Sequence, residues 1–255
     1  MTEIFEQGYV TLTISQGIGT VEFFHPQSNS LPRKLLVKLA ETITEAGNHP
    51  EIRVIILRSG GEKAFCGGAS FDELITINDL ETGKTFFSGF AGVINACRKA
   101  PKFVIGRVHG RAVGGGVGLA SATDYCFATA NAGAKLSELA VGIGPFVVGP
   151  AVERKIGLSA FSQMSINATE FFPASWAKEK GLYTEVLESV EDMNAEIAKL
   201  AQKLTSSNPE AMAMLKTIFW QGTEHWDELL YERAGISGKL VLSDFTKNAL
   251  AKFKK

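Results

Sequence analysis

The sequence predicts an α/β fold with parallel strand pairing, followed by a helical C-terminal region. The short continuous apolar run at residues 54–57 suits a buried strand, and residues 103–108 read as a second strand. Each is followed by a glycine-bearing loop where a helix begins, the strand–turn–helix unit of a parallel sheet. Beyond about Met193, Leu, Ile, Met and Trp recur at three- and four-residue intervals, the spacing of amphipathic helices.

Residues 10–14 and 20–24 mix β-branched and apolar side chains, and Gln16-Gly17 supplies a hairpin turn between them. Leu35, Leu36, Leu39, Ile43 and Ala46 then predict a helix over 35–46. After the strands at 54–57 and 103–108 come a helix opened by glycines at 114–122 and another strand at 125–129. The spacing of these units is too irregular for a sequence repeat. Helices are expected at 196–205, 209–220 and 225–240, the second starting at Asn208-Pro209 with proline in its first turn. No linker-like run separates the tail. The division is therefore a core over 1–192 and a helical region over 193–255 packed on it.

At 255 residues the chain can bury a substantial core without metals or disulfides. Its 45% apolar and 21% charged residues describe an ordinary globular protein. A formal net charge of −1 provides no overall field to recruit nucleic acid or an anionic membrane. Cys66, Cys97 and Cys126 are odd in number and widely spaced, which disfavours a disulfide framework or structural zinc and favours a reducing compartment. The opening MTEIFEQGYV has no apolar h-region, and no stretch approaches 18 apolar residues, so a cytoplasmic location is expected.

Two segments carry the chemistry. One is AFCGGASFDEL, residues 64–74, and the other is GRAVGGGVGLASATDY, residues 110–125. In each, small residues let a ligand approach the backbone. A helix start leaves unpaired N–H groups beside a partial positive charge, and two such ends converging would form an oxyanion hole without a charged side chain. Glycine clusters also serve tight turns and close packing, and pattern by itself leaves both readings open.

The pair of loops resembles the two signature loops of the enoyl-CoA hydratase/isomerase (crotonase) family. Asn29-Ser30-Leu31, KLSELAVGIGP over 135–145 and the stretch from Phe172 to Leu182 are similar to further family segments in the same order. The resemblance spans nearly the whole chain. It implies a spiral of ββα units with a C-terminal helical region that mediates assembly into trimers or pairs of trimers. It also implies an acyl-CoA substrate, with coenzyme A as part of that substrate and no separate cofactor or metal. The family positions of the oxyanion-hole amides fall on Ala69 and Gly115, among the close-approach residues Gly68, Gly114 and Gly116.

Many hydratases of the family hold a water between two glutamates. At the first of those positions this chain has Gly118, which cannot act as acid or base. At the second it has Glu138, the expected acid/base. A single positioned carboxylate suffices to move a proton between two carbons, and it can also deprotonate water and return the proton. The resemblance thus implies a 2-enoyl-CoA hydratase, with a double-bond isomerase as the alternative and a non-catalytic acyl-CoA binder as a different class. Ser70 stands where the family often has aspartate. Ser70, Phe71, Leu74, Ile143, Pro145 and Phe146 flank the loops and are candidates for the acyl pocket, with core packing as the plain alternative.

Other motifs fail. Asn78 to Thr85 ends like a P-loop but lacks its first glycine, and the 114–118 run is not GxGxxG. His25, His49, His109 and His225 show no metal-binding spacing, and there is no GxSxG elbow. Cys66 has no histidine nearby in sequence and reads as a small buried hydrophobe.

Overall fold

The structure, a computed structural model, describes residues 3–5 and 8–252. In chain order its elements are β1 (Glu3–Phe5), β2 (Gly8–Ser15), β3 (Ile18–Phe24), β4 (Ser30–Leu31), α1 (Arg33–Asn48), β5 (Val54–Ser59), β6 (Ala64–Cys66), β7 (Gly68–Ala69), α2 (Phe71–Leu74) and α3 (Leu80–Lys99). There follow β8 (Val104–Val108), β9 (Arg111–Val113), α4 (Gly115–Ser121), β10 (Tyr125–Thr129), β11 (Ala134–Lys135), α5 (Gly149–Ile166), α6 (Ala174–Glu179) and β12 (Glu185–Leu187). The chain ends in α7 (Val190–Thr205), α8 (Pro209–Phe219), α9 (Trp226–Leu240) and α10 (Asp244–Ala251).

The main sheet has the order β1-β2-β3-β5-β8-β10-β12. Its first three strands pair antiparallel, and the pairs from β3–β5 through β10–β12 are parallel. Gln16 and Gly17 both adopt positive φ, 50° and 79°, and join β2 to β3. That is the backbone of a two-residue turn whose twist matches the flanking strands. Two small parallel sheets lie apart from the main one: β4 with β7, and β11-β9-β6. They carry the two glycine-bearing loops.

Alternation along the parallel strands divides the core. Val54, Ile105 and Phe127 face α7, where Met193, Ile197 and Ala201 cover them. Ile55, Leu57, Val104, Val108 and Ala128 join the larger core with α1 and α3. α7 begins at Val190 because Ser189 caps it, its Oγ accepting from Asp192 N at 3.0 Å. The expected division at 192/193 therefore falls in the first turn of a helix that covers the sheet.

α3 was not foreseen from the sequence. Gly83, Gly89 and Gly92 lower its helix propensity, yet they let neighbouring elements approach. At Gly83 an added Cβ would lie 2.9 Å from Gly238 Cα, so α3 and α9 cross nearly backbone to backbone. Asp79 caps α3 by accepting from Thr82 N at 2.8 Å, which places the P-loop-like Gly83-Lys84-Thr85 inside a helix.

α8 is anchored by a buried charge. Lys216 Nζ lies 2.5 Å from Asp124 Oδ2 and donates to Cys97 O at 2.8 Å. Asp124 also accepts from Trp220 Nε1 and from Val104 N, both at 2.7 Å. Removing one member leaves an uncompensated buried charge. Lys216→Ala is expected to lower unfolding free energy by about 3–5 kcal/mol, whereas Lys216→Met with Asp124→Leu should cost clearly less. Chemical denaturation of both variants tests the difference.

Candidate active site

The two glycine-bearing loops meet. A Cβ added to Gly68 would lie 3.5 Å from Gly115 N and 2.8 Å from Val113 O, so β7 and the start of α4 touch through their backbones. Gly68 has φ 91°, and Gly114, the residue before α4, has φ 52° and ψ −115°. Glycine reaches both conformations readily and other residues rarely do.

The contact leaves two amides free of the local ladders. Ser70 N donates to Leu31 O at 3.1 Å, and β7 pairs Ala69 with Leu31 in parallel. In a parallel ladder, alternate residues of a strand turn their amides to the partner, so Ala69 N–H turns away from β4. On the other loop, Val117 N and Gly118 N both return to Gly114 O, at 2.9 and 3.3 Å. Gly115 N precedes these first bonds of α4 and has no intrahelical acceptor.

Glu138 closes the site. It follows β11 and opens a short 3₁₀ turn at Leu139–Val141. Its carbonyl accepts from Val141 N at 3.2 Å and Ile143 N at 3.0 Å, which fixes the residue. A Cβ on Gly114 would lie 3.1 Å from Glu138 Oε1, so the carboxyl rests against the backbone just before α4. The residue as a whole is half-buried, but Oε2 is sealed from solvent and has no hydrogen-bond partner. Loss of hydration therefore pushes the carboxyl up to about 7, opposed weakly by a bond from its own backbone amide.

Ala69, Gly115 and Glu138 share one predominantly apolar cleft of about 580 Å³, measured to its open mouth. Gly68, Phe71, Leu74, Gly114, Ile143, Pro145 and Phe146 line it too. Ser70 and Gly116 do not. Ser70 is buried as the cap of α2, accepting from Glu73 N, and the missing side chain of Gly116 would run into Cys66 O. Phe87, Phe90, Val147, Val148 and Ser237 were not foreseen as lining. Phe90 lies so close over Gly115 that an added Cβ would be 2.1 Å from its ring. The apolar stripe of α3 contained a signal for that helix, but no sequence pattern says which cleft a helix borders.

Gly118 faces Val148. A Cβ there would lie 2.4 Å from Val148 Cγ1, so a valine side chain fills the space that any side chain at 118 would need. Cys66 is fully buried, its thiol pushed up to about 12 and its sulfur accepting from Gly68 N at 3.4 Å. A thiol so reluctant to ionise holds the loop and does not attack. Among the described residues there is no group of three or more His, Cys, Asp or Glu able to hold a metal, and no helix long and apolar enough to cross a membrane.

Two stability effects follow from this packing. Gly118→Glu should destabilise by about 2–4 kcal/mol, from overpacking against Val148 and an unpaired buried charge, and Val148→Gly should relieve part of it. Thermal unfolding of the single and double variants checks this. For Glu138 the folded value of about 7 lies above the ordinary 4.5, so the folded state holds the proton more tightly. Stability is then highest with the carboxyl protonated and falls as pH rises from 4.5 through 7, by about 3 kcal/mol. Glu138→Gln should accordingly raise the melting temperature at pH 8 and leave it nearly unchanged at pH 4.

The chain is similar to known proteins in sequence and in fold. The enoyl-CoA hydratase/isomerase family profile matches residues 13–250. The human mitochondrial methylglutaconyl-CoA hydratase is 31% identical over 222 residues, covering 86% of this chain, and the chain spans 62% of that protein's length. A short-chain-enoyl-CoA hydratase of Clostridium acetobutylicum is 30% identical over 229 residues, covering 88% of this chain and 86% of its own. The crystal structure of an enoyl-CoA hydratase from Mycobacterium avium subsp. paratuberculosis superposes with a TM-score of 0.83 at 26% identity, covering 96% of this chain and 95% of that one. With a matching profile from β2 to α10 and the same fold, this chain belongs to the enoyl-CoA hydratase/isomerase family, the crotonase-fold enzymes of acyl-CoA chemistry.

Proposed function

We propose that the chain hydrates a 2-enoyl-CoA thioester through an enolate-like oxyanion. One observation carries this reading: a single buried carboxyl with a raised pKa lies against the backbone that presents the Gly115 amide, in the same apolar cleft as Ala69. The thioester oxygen accepts from the Ala69 and Gly115 amides. Ionised Glu138 takes a proton from water as hydroxide adds to the alkene carbon remote from the thioester. The displaced electron pair moves onto the thioester oxygen, where donors aimed at the developing charge stabilise it. Protonated Glu138 then delivers its proton to the carbon next to the thioester, completing the addition. Hydratase names among the relatives support the direction.

Double-bond isomerisation is the second reading, and the packing of Val148 over Gly118 favours it. With no second acid to grip water, Glu138 lifts a proton from one carbon and returns it to another. Either way, the lining residues include no Lys or Arg, so the reading extends to a neutral acyl group, because a buried carboxylate would go unpaired. Assembly into a homotrimer or a pair of trimers belongs to the same proposal. The exposed Met214, Ile218 and Phe245 of the C-terminal helices are apolar surface that self-association would cover.

The deciding experiment is incubation with 2-enoyl- and 3-enoyl-CoA esters in water and in D₂O, with products weighed. A mass gain of one water on the 2-enoyl esters supports hydration, bond migration supports isomerisation, and binding with neither outcome supports a non-catalytic binder. Glu138→Gln should lower turnover about 10²- to 10⁴-fold with ester affinity retained. Because the ionised carboxyl is the base, kcat/KM should fall about tenfold per pH unit below about 7 and level off above it. Replacing the Ala69 amide by an ester, by incorporation of lactic acid, should cost about 10²- to 10³-fold in kcat.

A further inference from the structure

We propose that Ser237 is a specificity-determining residue whose hydroxyl receives a neutral hydrogen-bonding substituent on the acyl group, at a distance from the thioester. The proposal rests on the acyl-CoA reading of the cleft given above.

Ser237 lines the cleft from α9 and is only 2% exposed. Several helical serines turn their hydroxyls back to the preceding turn, Ser88 to Lys84 O at 2.7 Å, Ser121 to Val117 O at 2.8 Å and Ser165 to Phe161 O at 2.8 Å among them. Ser237 makes no such bond, and no side-chain hydrogen bond to it is formed among the described residues. Unlike Glu138 Oε2, its oxygen is not sealed from solvent, and the residue forms part of the cleft wall. An unpaired hydroxyl in an apolar wall forfeits a hydrogen bond that a ligand can restore.

Its position along the cleft follows from α3. Gly83, Phe87 and Phe90 share one stripe of that helix at i, i+4 and i+7. Phe90 lies over Gly115, and Gly83 crosses Gly238, the neighbour of Ser237. The stripe therefore runs from the proposed thioester position to Ser237, about 10 Å of helix at 1.5 Å per residue. No Lys or Arg lines this wall, so the phosphate-bearing part of a CoA ester has no partner there; of the two neutral arms of the ester, acyl and pantetheine, the proposal assigns the acyl group to Ser237.

The test is calorimetric binding of saturated, unreactive acyl-CoA esters, in pairs of equal chain length, one ending in methyl and one carrying a terminal hydroxyl. For one chain length the wild-type protein should bind the hydroxylated ester about five- to tenfold tighter. Ser237→Ala should abolish that preference while holding the methyl-terminated ester within about twofold of wild type. No preference in the wild type at any length, the same preference in both proteins, or an equal loss for both esters in Ser237→Ala would overturn the assignment. Failure of the wild type to bind any ester would overturn the acyl-CoA reading and this inference with it, an outcome distinct from binding without discrimination.

Discussion

The structure depends on the backbone contact between Gly68 and the start of α4. The amides of Ala69 and Gly115 can address one ligand atom only if nothing but hydrogen stands between the two loops, and a Cβ at Gly68 would already press on Val113 O. Two small sheets hold the loops in this relation: β4 with β7 on one side, and β6, β9 and β11 on the other. The main sheet with α1, α3 and α7 supplies the packed core from which those loops project. In the proposed function the oxyanion is held by main-chain geometry, and the loop side chains serve mostly by their absence.

Glu138 is the exception, and its setting shows how electrostatics is tuned without a charged partner. The carboxyl is fixed through its own backbone carbonyl, and its Oε2 finds neither solvent nor donor. Desolvation lifts its pKa into the neutral range, where a group both accepts and gives up protons readily. The same desolvation makes the ionised protein less stable, so the feature on which the proposed proton transfer rests costs the fold some of its margin. Glu138 and Ser237 lie in one cleft whose other lining side chains, Phe87, Phe90, Val147 and Val148 among them, are mostly apolar.

Much of the fold was legible in the chain. The hairpin at Gln16-Gly17, helix α1, strands β5, β8 and β10 and helices α7, α8 and α9 follow from apolar period and turn chemistry, displaced by a few residues at their ends. The large displacement is at α7, whose Ser189 cap and first-turn acids sit before the apolar period begins. α3 and α5 went unread for different reasons. The glycines of α3 weaken its local propensity while serving its crossings with α1 and α9, and α5 is broken at Gly157, where φ is 74°. In both, tertiary packing overrides local preference.

The sequence by itself determined the leading hairpin, the strand–loop–helix units, the two glycine-bearing loops and the carboxylate at 138, because these are written in residue type and short-range spacing. Family membership was legible in the same motifs, because loop residues that must lack a Cβ leave a pattern along the chain. Only the tertiary structure decided that Ser70 and Gly116 face away from the cleft. It also decided that Val148 fills the space beside Gly118, and that α3 and α9 bring Phe90 and Ser237 into the wall. Those facts depend on contacts between residues far apart in the chain, and no local period encodes which distant side chain will occupy a given space.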